Sequence, residues 1–203
     1  MTLWDLLFTN QKSAPPEFGL WYFILPASLL VVGYFSIKYA QSKSYQRFWY
    51  WAQLIQVLTI NAWYILAHMT LTDNLPFYHC RLAMFAVVFL PDKWKTKQYF
   101  ALMGASGAVF ALGYPVFDPY DFPHITSFSF LIGHYALLVN SLVYLMNHYD
   151  KTLLKKYRII AYTFVLNLFL VGVNQLTGGN YGLLNTTPFI PDAPIWIKYL
   201  LVS

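Results

Sequence analysis

Long apolar runs separated by short polar segments set the pattern of this chain. Six of them, over approximately 18–40, 48–69, 75–90, 98–114, 124–147 and 158–177, come near or above the length a helix needs to cross a hydrocarbon core. The third is short, lies between Pro76 and Pro91, and is expected to cross only partly or at a thin place. A seventh run, 194–203, opens at Ala193-Pro194-Ile195-Trp196 and reads as a truncated last helix or a short interfacial one. The pattern therefore predicts a single all-α domain over 1–203: a polytopic transmembrane helical bundle of six spans plus a truncated or short seventh.

The polar segments predict orientation. Lys38, Lys43 and Arg47 lie between the first two runs, Lys93, Lys95 and Lys97 follow the third, and Lys151, Lys155, Lys156 and Arg158 separate the fifth and sixth. The alternate connections carry Asp73, Asp118, Asp121 and Asp192 instead. The positive-inside rule then places the basic loops in the cytoplasm and the N-terminus outside. Composition agrees: 58% of the chain is hydrophobic and only 10% charged, against roughly 45–50% and about 25% in soluble domains. The net charge of +5 forms no basic stripe, so it reads as topology and not as a nucleic-acid surface. One cysteine excludes an intrachain disulfide and a several-cysteine zinc site. The N-terminus has no basic region before a short apolar core, so no cleavable signal peptide is expected.

Chemistry concentrates at the external ends of the runs. His79-Cys80-Arg81 joins an imidazole, a thiol and a permanent cation at the start of the third run, and ionisable groups in a membrane segment are functional candidates. Asn74 is expected to cap that helix with Pro76 in its first turn, which sets Cys80 about one turn in, ~6–9 Å along the axis. The alternative is a small buried cysteine beside an arginine that snorkels to headgroups. In the fifth run Ser127, His134 and Ser141 recur every seven residues and share a face; a hydrogen-bonded core histidine is the competing reading there. Asn167 and Asn174 repeat that spacing in the sixth run, with Thr163 and Thr177 near the same face, and the second supplies Asn61, Tyr64 and His68. These polar faces point to one outward cavity, although interhelical hydrogen bonding explains part of the pattern. The fourth run, with Gly104, Gly107, Ala108 and Ala111, reads as a packing face. Gly178-Gly179-Asn180-Tyr181 is an ordinary helix stop, no phosphate-binding pattern occurs, and neither a metal nor a cofactor is expected.

Leu75-Pro76-Phe77-Tyr78-His79-Cys80, Phe122-Pro123-His124, His134 and Gly179-Asn180-Tyr181, taken in this order along the chain, resemble the YwaF / transmembrane-protein-164 family of integral membrane proteins. The resemblance implies seven helices with an external N-terminus, in a bacterial plasma membrane. It also implies cysteine-dependent acyl transfer on membrane phospholipids, or lipid hydrolysis, with Cys80 as nucleophile and His134 as its partner. Arg81, His68, His79, His124, Asn174, Asn180 and Tyr181 are the candidates for binding the lipid or its oxyanion. Relatives place a histidine two residues before the cysteine, where this chain has Tyr78, and a basic residue where it has Thr187 before Pro188. The expected partners are membrane lipids, with no nucleic acid. Two other classes fit the polar faces: a small-solute or lipid transporter, and a non-catalytic membrane receptor or scaffold. Few polar residues on the cytoplasmic side and no clear inverted repeat weigh against transport.

Overall fold

The computed structural model describes residues 2–16, 19–152, 154–185 and 192–202, with 200–202 described by their backbone alone. Eight α-helices follow one another: α1 (Leu3–Phe8), α2 (Trp21–Lys38), α3 (Lys43–Leu66), α4 (His79–Phe89), α5 (Lys95–Gly113), α6 (Ile125–His148), α7 (Lys156–Thr177) and α8 (Ile195–Val202), with a 3-10 turn at Tyr181–Leu183. No strand occurs among the described residues, so the all-α expectation holds. By length and composition α2, α6 and α7 are suited to cross a membrane, and α4 is a shorter apolar helix. Helices α3 and α5 have the length, at 24 and 19 residues, but carry Gln53, Gln56, Lys97 and Gln98 among their buried positions. The eight residues of α8 cover only ~12 Å. Thr187 and Pro188 lie outside the described residues.

Helix α6 is the centre, packed against α2, α3, α4 and α5, and α5 packs on both α4 and α6. Small residues bring these three together. A Cβ at Gly104 of α5 would lie 2.7 Å from Ser141 Oγ, 2.8 Å from Leu137 Cδ1 and 3.3 Å from Ala83 Cβ, so glycine alone permits the crossing. Around it Val57, Ala83, Met84, Val87, Ala101, Ala108, Leu137 and Leu138 form the main core. Large apolar side chains such as Phe23, Leu30, Phe110 and Leu176 instead face outward, a surface that water penalises and lipid tails accept.

The connections gather at two ends. At one, Lys12 pairs with Asp73 at 2.9 Å, Ser13 N–H donates to Pro119 O at 2.8 Å, and Trp63 Nε1–H reaches Phe8 O at 3.3 Å. At the other, Lys97 pairs with Asp92 at 2.7 Å, Tyr144 O–H donates to Asp92 O at 2.7 Å, and Asn147 Nδ2 donates to Ala40 O at 2.9 Å. The acidic and basic connections are thus sorted to opposite ends.

Two local features depart from the sequence expectation. Helix α4 starts at His79 with Tyr78 at its N-cap, not near Pro76. Asn74 turns away from it, donating Nδ2 to Met69 O at 2.8 Å. The cause is tertiary: Tyr181 O–H donates to Leu71 O at 2.6 Å and accepts Leu75 N–H at 3.0 Å, which pins the preceding segment in a run of turns and bends. The second is α1, closed by a capping box in which Thr2 and Asp5 exchange backbone-to-side-chain bonds.

Candidate functional site

Because α4 begins at His79, the triplet occupies its first turn, and each member meets a different neighbour. The first intrahelical bond is Leu82 N–H to Tyr78 O, 2.9 Å. Among the described residues the N–H groups of His79, Cys80 and Arg81 meet no acceptor, as the first turn of a helix leaves them. Cys80 is therefore at the helix start and not one turn inside it.

His79 turns toward α7. Its Nε2 lies 2.7 Å from Asn167 Oδ1, and its ring lies on Gly182, where a Cβ would stand 2.9 Å from Cε1. The φ of 69° at Gly182 suits glycine for a second reason. Cys80 turns toward α5: a Cβ on Gly107 would sit 3.0 Å from its sulfur, and the side chain packs on the main core. Arg81 turns toward α3. Its Nη2 donates to Tyr64 O–H, and the guanidinium lies over the rings of Tyr64 and Tyr78 at 4.6 and 5.3 Å. Its buried Nη1 has no partner among the described residues.

His134 enters the same region from α6. Its Nδ1 lies 2.7 Å from Phe130 O; a carbonyl only accepts, so Nδ1 carries the hydrogen and Nε2 keeps its lone pair. The Arg81 charge acts on His134 and on Asp118. Ala83 of α4 and Leu137 of α6 both meet Gly104, and α4 and α6 run the same way from the same end of the bundle. Three residues back from each along its helix stand Cys80 and His134. No hydrogen bond joins the two among the described residues. Ser127 and Ser141, one heptad to either side of His134, have buried hydroxyls with no partner among the described residues.

The other candidates are held elsewhere. His124, the N-cap of α6, is fully buried and uses both ring nitrogens: Nδ1 accepts from Thr126 N–H at 3.3 Å, and Nε2–H donates to Thr9 O at 3.1 Å. Stacked on Tyr120 at 4.2 Å, it is an anchor for the N-terminal segment, and burial lowers its pKa below the usual histidine value. Asn174 binds the Tyr181 backbone twice, Oδ1 accepting Tyr181 N–H at 2.7 Å and Nδ2 donating to Tyr181 O at 2.9 Å. Asn180 Oδ1 accepts Asn185 N–H at 2.9 Å. His68 is exposed, in a turn with φ of 51°.

Sequence reasoning passed over Gln53 and Gln56. Gln53 Nε2 donates to Gln56 Oε1 at 2.8 Å, and Gln56 Nε2 donates to Ser129 Oγ at 2.6 Å, which ties α3 to α6. Two amides three residues apart inside an apolar run were the available signal.

The TMEM164 family profile matches residues 8–202, and the chain belongs to that family, an assignment its apolar helices share in describing an integral membrane protein. No curated protein and no solved structure matches it.

Proposed function

We propose, with that membership as premise, that the chain is a membrane-embedded acyltransferase that moves acyl chains between phospholipids through Cys80 and His134. The observation that carries the reading is the shared step on Gly104, from which Cys80 and His134 lie one turn back on parallel helices. Tautomer supports it as well: with Nδ1–H given to Phe130 O, Nε2 is the basic nitrogen a thiol proton requires.

In this reading Nε2 takes the Cys80 proton and the sulfur attacks the ester carbonyl of a phospholipid. The unpaired N–H groups of Cys80 and Arg81 face the developing oxyanion, a role helix N-termini perform well. The tetrahedral intermediate collapses by breaking the ester C–O bond. His134 returns its proton to the departing lysolipid oxygen, which leaves an S-acyl cysteine. An incoming hydroxyl then gives its proton to Nε2 and attacks the thioester. Breaking the C–S bond releases the new ester, and the proton returns to sulfur. Water in place of the hydroxyl makes the same site a lipid hydrolase. Arg81 Nη1, buried and unpartnered among the described residues, is the group assigned to the lipid phosphate. His79 holds the start of α4 against α7 through Asn167, while Asn174 and Tyr181 fix the segment before it. The spans are six helices, α2 to α7, with α8 short; the end holding Asp73 and Asp118 faces outward and the basic loops face the cytoplasm.

The test is covalent capture. Protein in lipid nanodiscs is given a phospholipid with an alkyne-tagged acyl chain, and the label on protein is read before and after hydroxylamine. A hydroxylamine-labile label on wild type that Cys80→Ser and Cys80→Ala both lack, at unchanged melting temperature, is the expected result. Acyl transfer that persists in Cys80→Ala ends the proposal.

A further inference from the structure

Helix α7 stands off from α5. It is pinned by Tyr99 O–H and Thr163 Oγ1, 3.0 Å apart, by His79 and Asn167 at 2.7 Å, and beyond its end by Tyr181. Between the helices lies a cavity of about 350 Å³. Tyr99, Leu102, Met103 and Ser106 line it from α5, and this i, i+3, i+4, i+7 spacing makes a single helical stripe. The stripe is ~10 Å long at 1.5 Å per residue. Ile159 and Thr163 face it from α7, and His79 closes it at the end near Ser106.

That end adjoins the thiol twice over. Ser106 precedes Gly107, on which the Cys80 sulfur rests, and His79 precedes Cys80. Among the described residues no lysine, arginine or carboxylate lines the cavity, and Ser106 Oγ is tied to its own helix through Leu102 O and Met103 O at 3.1 Å. An uncharged space between apolar helices, with the neighbours of a thiol at one end, has the chemistry to take a hydrocarbon chain. The larger groove between α3 and α6, about 500 Å³, is less suited. Its lining contains neither His79 nor Ser106, and Gln56 fills the space over Gly133, 3.0 Å from where a Cβ would be.

We propose that the α5–α7 cavity holds a lipid acyl chain whose carboxyl end lies at Cys80, and that Tyr99 and Thr163 close its far end and limit chain length. Occupancy by a lipid chain stands on the cavity itself; the link to Cys80 rests on the acyltransferase reading. The two are tested apart.

Wild-type protein in phosphatidylcholine nanodiscs is photolysed with a phosphatidylcholine carrying a diazirine at the acyl terminus, and adducts are mapped by mass spectrometry. Adducts on Tyr99, Leu102, Met103 or Ile159 are expected, falling roughly tenfold in Leu102→Trp. Adducts at Ile55 and Ile132 in the other groove should not change. Ile159→Trp blocks from the opposite wall and serves if Leu102→Trp melts early. Adducts confined to the α3–α6 groove, or indifferent to both tryptophans, overturn the assignment. In a second arm, Tyr99→Ala should extend the longest acyl chain recovered as a hydroxylamine-labile adduct on Cys80. An unchanged length profile overturns the limit set by Tyr99 and Thr163. Cavity adducts without any Cys80 adduct uphold the chain site and overturn the acyltransferase reading instead.

Discussion

His124, the N-cap of α6, and His134, near the middle of that helix, show the same side chain in opposite settings. The His124 ring is fully used: both ring nitrogens are bonded, the ring is stacked on Tyr120, and Trp63 meets it edge-on at 5.0 Å. Around His134 polar capacity is left over. The leftover groups are its own Nε2, the Arg81 Nη1 and the first N–H groups of α4, with the Ser127 and Ser141 hydroxyls ~10 Å along the helix to either side. Buried polar groups without partners cost stability, so a fold that keeps several together has a use for them. Saturation, more than residue type, separates the structural histidine from the one proposed for chemistry.

The sharpest way to break this comparison is to exchange the losses. His134→Ala should cost roughly 10²–10⁴ in acyl-transfer rate, the scale of a lost general base, and little stability. His124→Ala should cost about 2–4 kcal/mol, from the cavity and the orphaned Thr9 and Thr126 groups. Both are read from melting and transfer rates on the same samples, and a large stability loss at His134 with unchanged turnover reverses the assignment. Next in size, Gly104→Ala should cost about 1–3 kcal/mol by overpacking, since its Cβ meets Leu137 and Ser141 below 3.0 Å. Activity should fall further than that, because the same crossing sets the register of Cys80 and His134. A Gly104→Ala variant as active as wild type would separate register from catalysis.

The smallest expected effect is in pH. Burial holds the His124 pKa below its unfolded value, so the unfolded chain binds the proton first. Its stability contribution is complete above about pH 6.5 and is lost as pH falls from there through the folded pKa. Between about pH 6.5 and 5, wild type should lose melting temperature faster than His124→Gln; equal slopes would show that the ring does not titrate with the fold.

The helices were legible because apolar runs of this length have few other fates. The expected 124–147 run is observed as Ile125–His148 and the 158–177 run as Lys156–Thr177. The start of α4 was not legible, since what holds residues 71–75 out of the helix is Tyr181, more than 100 positions later. The tasks of Asn174 and Tyr181 were hidden too: their polarity looked available, but Asn174 is consumed by the Tyr181 backbone and the Tyr181 hydroxyl by Leu71 and Leu75. The heptad of Ser127, His134 and Ser141 was readable as a face. The bond to Phe130 O that sets the His134 tautomer was not, because which ring nitrogen bonds depends on the rotamer.

The 11 residues of α4 extend only ~16 Å, about half of a hydrocarbon core near 30 Å. Above them the chain continues as non-helical backbone, a form that survives at such depth only where protein or water satisfies it, as Tyr181 does for Leu71 and Leu75. Tyr181 thus does for this backbone what a further turn of helix does elsewhere in the bundle, and one phenol hydroxyl stands in for the length that α4 lacks.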